Sequence, residues 1–428
     1  MATTRRDFLR AGALGALGWG VMGSFERVVA ATPRRVSAPL TAPDDGTVLV
    51  TVNLFGGNDG LSTVVPLRQY QRYRQLRARI GIARQRLLPL KGYEQDFAFN
   101  PGMRKLADLF RQGRMAVINA VGCPPDAQGL FDHEASQQNV LTGTTYGTAP
   151  PVAPSGWLGR YLDRVTPGAL PAGIDFSSAP LLLSGATAAP LSLYSINGFG
   201  VFPSGDFEAR YNAYTRLQGQ SAPPGVGERN RQLRQQVVAL GGELQRISDD
   251  YQVTNGVLYP PTYLAGALRD CAALIAAGRG VRALAVGEGG FDTHADQQAI
   301  ADGTPVHEGL WITVSEAVSA FYADVKGHGL GDKVVVFIFT EFGRRPQENN
   351  DRGTDHGFAG PVFAIGGPVT GGVYGDYPDL REPYLVLDDN LDVKIDFRTV
   401  YATLLSQHLG VDPGPILGSD FGTLGFLT

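Results

Sequence analysis

Five short apolar runs, at 47–55, 115–120, 281–286, 333–339 and 361–365, alternate with stretches of helical periodicity at 103–112, 131–141, 156–165, 263–277, 310–325 and 397–409. A strand buried on both faces reads as a continuous run of this kind, and parallel neighbours need a crossover, usually a helix, between them. The alternation predicts an α/β fold with a largely parallel central sheet flanked by helices. The core has material enough: 43% of the 428 residues are hydrophobic and 18% are charged, a balance that excludes a disordered chain. Glycine (56) and proline (28) are abundant, and the richest stretch, 167–227, is expected to be a loop-rich insertion or cap within a single domain over 32–428. Behind it Leu233, Val237, Leu240, Leu244 and Ile247 recur every three or four residues as the apolar stripe of a long helix.

The first 31 residues differ in character. Thr4-Arg5-Arg6-Asp7-Phe8-Leu9-Arg10 precedes a weakly apolar run over 11–22 and then Val29-Ala30-Ala31. This is the pattern of a twin-arginine export signal, cut near Ala31. The run falls short of the ~18 apolar residues that a bilayer span needs, and no other segment is a candidate. The expected mature chain has no membrane span, meets the twin-arginine translocase during export, and works in the periplasm or outside the cell. An oxidising destination permits a disulfide between Cys123 and Cys271, with a buried thiol at Cys271 as the alternative. The formal charge of −4 lacks the basic footprint of a nucleic-acid binder.

Phosphate-loop, dinucleotide-binding, zincin and serine-elbow motifs are all absent. Polar groups instead gather where the apolar runs end. Asp59 follows the first run, Asp292-Thr293-His294 the third and Glu341 the fourth; Asp355-His356-Gly357 precedes the fifth, and Asp132-His133 opens a helix. Ligands of open α/β sheets bind beyond the carboxyl ends of the strands, so these groups are expected to converge there. Mixed carboxylate and imidazole donors suit a divalent cation such as zinc, manganese or calcium. Each residue also has a plain structural role open to it: Asp59 a turn, Asp132 a helix cap, His133 a bond to a backbone carbonyl, and Glu341 an ion-pair cluster with Arg344 and Arg345.

Several segments resemble one family: the export signal, VNLFGGNDGLSTVVPL at 52–67, FDHEASQQNVLTG at 131–143, GGFDTHADQ at 289–297, TEFGRRPQEN at 340–349 and GTDHGFAGPVFAIGG at 353–367. They resemble the twin-arginine-exported proteins of domain of unknown function 1501, which look like a branch of the alkaline phosphatase and sulfatase superfamily. The resemblance implies an α/β sheet and metal-assisted ester hydrolysis, with Asp59, Asp292, His294, Glu341 and His356 as metal ligands. It places His133 where that superfamily keeps a hydroxyl or thiol nucleophile. Two readings follow. One is an exported hydrolase of anionic sulfate or phosphate esters, small-molecule or glycan, with His133 catalytic and Arg344 and Arg345 neutralising the anion. The other is a non-catalytic cell-envelope binding protein that keeps the fold.

Overall fold

A computed structural model describes residues 45–124, 131–145, 147–148, 154–166, 168–197, 228–254, 256–377, 379–381, 385–386 and 389–428. The export signal expected over 1–31 lies outside them. In chain order the elements that build the site are β1 (Val48–Leu54), α1 (Arg104–Arg111), β2 (Met115–Gly122), α2 (His133–Thr142), α3 (Trp157–Leu162), β3 (Gly173–Asp175), β4 (Leu191–Ser192) and α4 (Glu228–Asp250). There follow α5 (Tyr263–Ala277), β5 (Ala283–Glu288), α6 (Val306–Gly327), β6 (Val334–Phe339), β7 (Gly343–Glu348), β8 (Thr354–Gly357), β9 (Gly360–Gly366), β10 (Gly372–Tyr374), β11 (Ile395–Asp396) and α7 (Phe397–Thr403).

One nine-stranded sheet runs β10-β2-β9-β6-β1-β5-β3-β4, with β11 also paired to β2. β1 is parallel to β6 and to β5, and β3 is parallel to β5 and β4. β9 is antiparallel to both β6 and β2. The sheet is thus largely parallel, with one reversed strand, and it is flanked by helices as expected.

All seven residues of β1 and all six of β6 are buried, because alternate side chains feed two separate cores. Val50, Val52, Val336 and Ile338 meet α1, α4, α5 and α6 on one face; Leu49, Val335, Phe337 and Phe339 meet α2, α3 and α7 on the other. In α4, Leu244 and Ile247 reach the first of these cores. Cys271 belongs to that core while Cys123 packs against the opposite one, so the sheet separates them and no disulfide joins them.

The stretch expected as an insertion or cap needs a correction. Its residues 173–175 and 191–192 extend the central sheet as β3 on β5 and β4 on β3, because main-chain pairing needs no apolar run in so short a strand. Residues 198–227 lie outside the described residues. Among the described residues no helix is long and apolar enough to cross a membrane.

Candidate metal centre

β1, β5 and β6 end side by side, and the loops leaving them are pressed together. Gly56 (φ +119°) takes a backbone conformation open to glycine, and a Cβ there would lie 2.2 Å from the Asp292 nitrogen. Gly289 and Gly290 carry the chain from β5 to Asp292, and Glu341 stands two residues beyond β6. His356 lies in the short strand β8 and so precedes β9 of the central sheet instead of following a central strand. It reaches the same edge because β9 is reversed, and β7 and β8 form a polar hairpin just before it. His133 is the first residue of α2, whose cap Asp132 accepts the Ala135 N–H at 2.8 Å.

Three imidazoles surround one carboxylate. Asp292 Oδ1 lies 3.2 Å from His294 Nε2 and 3.3 Å from His356 Nε2, and Oδ2 lies 3.4 Å from His133 Nε2. The donor atoms of His133, Asp292 and His356 all lie within 4.8 Å of one another. Each ring is held at its other nitrogen by an oxygen: His133 Nδ1 by Glu341 Oε1 at 3.0 Å, His294 Nδ1 by Asp355 Oδ1 at 3.3 Å, and His356 Nδ1 by the Phe131 carbonyl at 2.6 Å. These acceptors put the proton on Nδ1 in all three rings and turn the Nε2 lone pairs inward.

Inward lone pairs facing an anion form a donor set that fits a cation. Bonds of roughly 2.0–2.1 Å in tetrahedral order place neighbouring ligand atoms about 3.3 Å apart, close to the spacings around Asp292. His294 Nε2 and His356 Nε2 are only 2.8 Å apart, a separation at which two acceptor nitrogens repel unless a cation or proton lies between them. Pinning of the far nitrogen by carboxylate or carbonyl is also what orients imidazole ligands.

Burial would raise the Asp292 carboxyl, but the hydrogen bond and charge of Arg344, aided by His294, hold it below the usual carboxylate range. Burial also pushes the His356 imidazole below its ordinary value. Both shifts favour the unprotonated forms that bind metal. His133, Asp292 and His294 keep 39%, 45% and 43% of their side chains exposed, so the centre is open to solvent on one side.

The DUF1501 family, described as a protein of unknown function, matches residues 207–419. Over those residues the chain belongs to DUF1501. The DUF1501 stretch holds Asp292, His294, Glu341 and His356, while His133 precedes it. No curated protein matches the chain. Among solved structures, the chain is similar to a protein in the alkaline phosphatase superfamily from Vibrio parahaemolyticus (8% identity, TM-score 0.40, covering 94% of this chain and 78% of that one). It is also similar to the PsFucS1 sulfatase from Pseudoalteromonas sp. (9%, 0.37, 96% and 74%). A third is a mutant alkaline phosphatase of the Antarctic bacterium TAB5 with Mg bound (11%, 0.29, 78% and 95%). These are likenesses of overall layout and say nothing of the DUF1501 site.

Within this DUF1501 chain the expected site residues divide. His133, Asp292, His294 and His356 meet at the centre. Glu341 does not face it: one oxygen accepts the Gly56 N–H (2.8 Å) and holds His133, the other accepts the Thr340 hydroxyl (2.9 Å), so it orients the His133 ring.

Asp59 is displaced altogether. It is fully buried, ion-paired with Arg77, bonded by Gln297 at 2.6 Å, and caps the one-turn helix Gly60–Thr63. A buried cation 18 residues along the chain has claimed the carboxylate. Arg344 is likewise not available to a substrate. Its buried guanidinium is spent on the carbonyls of Gly56, Gly57, Phe291 and Thr354 and on Asp292. It ties three loops and fixes the central carboxylate. Arg345 is half-buried at the rim, with Nε 3.3 Å from the His356 carbonyl and its guanidinium over the Phe131 ring.

The residues with no role of their own at the level of sequence are Asp355, which orients His294, Asn349, which bonds Asp355 at 2.9 Å and the His294 carbonyl at 2.8 Å, and Phe342, whose ring packs on His133 and His356. Only Asp355 left a signal, as the acid beside His356.

Proposed function

We propose that this DUF1501 protein is an exported, metal-dependent hydrolase of phosphate or sulfate esters, acting in the periplasm or outside the cell. The observation that carries the reading is the convergence of three Nδ1-anchored imidazoles on Asp292. His133, Asp292 and His356 would hold a divalent ion, with His294 as a further donor. The nitrogen-rich set suits zinc or manganese and not calcium, whose shells are built from oxygen. Such an ion supplies Lewis-acid polarisation of the ester oxygen and a water activated at neutral pH. His133 serves as a ligand in this reading, since Glu341 holds its Nδ1 and its Nε2 faces Asp292. Arg345, at the rim, neutralises the incoming anion, a task Arg344 cannot share. Phe342 shields the His133 and His356 rings from water on one side.

The four protein donors favour a second reading, because a fully ligated ion is typical of structural sites and catalytic sites keep a place open. Metal analysis of protein purified from its own periplasm, with turnover of aryl phosphates and aryl sulfates before and after chelation, separates the two. The hydrolase predicts one bound ion per chain and turnover lost on chelation. A loaded protein that turns over no ester leaves the binding-protein reading. Replacing Arg5 and Arg6 together by lysine is expected to retain the precursor in the cytoplasm; normal export of that variant would sink the localisation.

A further inference from the structure

Between the segment that carries Asp292 and His294 and the hairpin that carries His356 sits Gln297, a fully buried side chain. Its Oε1 accepts the Thr293 hydroxyl at 2.9 Å and the Thr354 hydroxyl at 3.1 Å. Thr293 lies between Asp292 and His294 in sequence; Thr354 lies two residues before His356. One carbonyl oxygen therefore takes a hydroxyl from each ligand-bearing segment. The segments also touch directly: the Thr354 N–H donates to the Thr293 carbonyl at 3.1 Å, and a Cβ on Gly353 would fall 2.2 Å from the His294 main chain.

The orientation of that amide is dictated from below. Gln297 Nε2 donates to Asp59 Oδ2 at 2.6 Å, and a carboxylate paired with a buried arginine can only accept. The amide nitrogen must face Asp59, so the oxygen must face the two threonines. Arg77 closes the arrangement by donating to Asp59 and to the carbonyls of Pro346 (2.9 Å) and Arg345 (3.0 Å), on the hairpin strand β7 that pairs with the His356 strand β8. Both polar atoms of the glutamine side chain are used, and the partners belong to three separate segments.

We propose that Gln297 is a positioning residue of the metal centre: its amide oxygen clamps Thr293 to Thr354 and so sets the separation of His294 from His356. The proposal rests on the metal-binding reading above, but the clamp also orders both imidazoles in the metal-free protein, which gives it a separate test. Cobalt(II) titration followed by absorbance, and imidazole nitrogen NMR of the metal-free protein, are measured for wild type, Gln297→Leu, Thr293→Val and Thr354→Val. Asp324→Asn serves as the control. Asp324 is a buried acceptor of Tyr251, Tyr259 and Thr254 in a different network, so its loss destabilises without touching the clamp.

The expected result is a Kd for cobalt weakened at least ~10-fold in Gln297→Leu and Thr354→Val, the effect of losing an outer partner of a ligand. The control should keep wild-type affinity at a comparable fall in melting temperature. In the metal-free variants the His294 and His356 rings should pass from single tautomers to averaged signals. If Gln297→Leu fails to fold, the two threonine variants carry the test. Variants that bind cobalt and give ring spectra as wild type does would overturn the clamp. A wild type that takes up no cobalt would overturn the metal reading, and the ring spectra would then decide the clamp alone.

Discussion

Arg77→Met is expected to cost the protein about 3–5 kcal/mol, the penalty for leaving one member of a buried ion pair without its partner. Neither side chain of the Arg77–Asp59 pair has any exposure. The guanidinium also serves Ser62 and two hairpin carbonyls, so its loss orphans several acceptors at once. The pH dependence follows from the same groups. Burial would raise the Asp59 carboxyl, but the charge and hydrogen bond of Arg77, with smaller contributions from His307 and Gln297, hold it far below the ordinary range. The stability it contributes is fully present above the unfolded carboxyl value near 4 and is lost only as pH falls below that.

His307, in the same buried region and bonded to Asn58 at 3.3 Å, acts in a higher window. Burial pushes its imidazole down to about 4. The unfolded ring, near 6.5, takes up a proton first, so stability falls as pH drops from roughly 6.5 to 4. Urea unfolding should show wild type losing roughly 2–3 kcal/mol to His307 between pH 7 and 4.5, and Arg77→Met strongly destabilised at both. The gap should narrow as pH falls, because the unpaired Asp59, raised by burial, is protonated in the variant before the unfolded carboxyl near 4, and below that wild type loses its own ion-pair contribution. A loss under ~1 kcal/mol at pH 7 would mean that the pair is not the support described.

What the sequence disclosed and what it hid follow from the range of the forces involved. β1, β5 and β6 were legible because burial on both faces writes itself into consecutive residues. β3 and β4, three and two residues long, carry no pattern because they exist by main-chain pairing, β3 to β5 and β4 to β3. β7 and β8 read Gly-Arg-Arg-Pro-Gln-Glu and Thr-Asp-His-Gly, which resemble loop, yet they deliver His356. The direction of β9 has no local signature either, although its reversal is what brings a residue before a strand to the edge where others follow theirs.

Acids and histidines at strand ends, and at one helix start, pointed to a single edge of the sheet, and His133, Asp292, His294 and His356 lie together there because the topology itself brings those ends together. The same pattern failed for Asp59 and Arg344 because a charge's function depends on which opposite charge reaches it. Arg77 reaches Asp59 and Asp292 reaches Arg344 across folds of the chain that no spacing rule encodes.

The largest functional effect is expected from His356→Ala. Its side chain, 16% exposed, is the most buried of the four at the centre, and Phe131 fixes its ring from outside. In the proposed metal site its loss would take an anchored nitrogen from the shell and open the gap between His294 and His133, so zinc bound by the wild type at one ion per chain should fall to near zero after dialysis. Ester hydrolysis should fall with it by about 10³-fold or more, as for removal of a principal source of transition-state charge stabilisation. Glu341→Gln is the graded comparison. It leaves every ligand in place but weakens the acceptor that orients His133, and changes of that kind typically cost 10–100-fold in affinity or activity. His328→Gln, at the far end of α6, should change neither. The ordering His356→Ala above Glu341→Gln above His328→Gln follows from direct ligation, then orientation, then distance. A Glu341→Gln defect as deep as that of His356→Ala would make the glutamate a ligand after all. Full metal occupancy in His356→Ala would place the ion elsewhere.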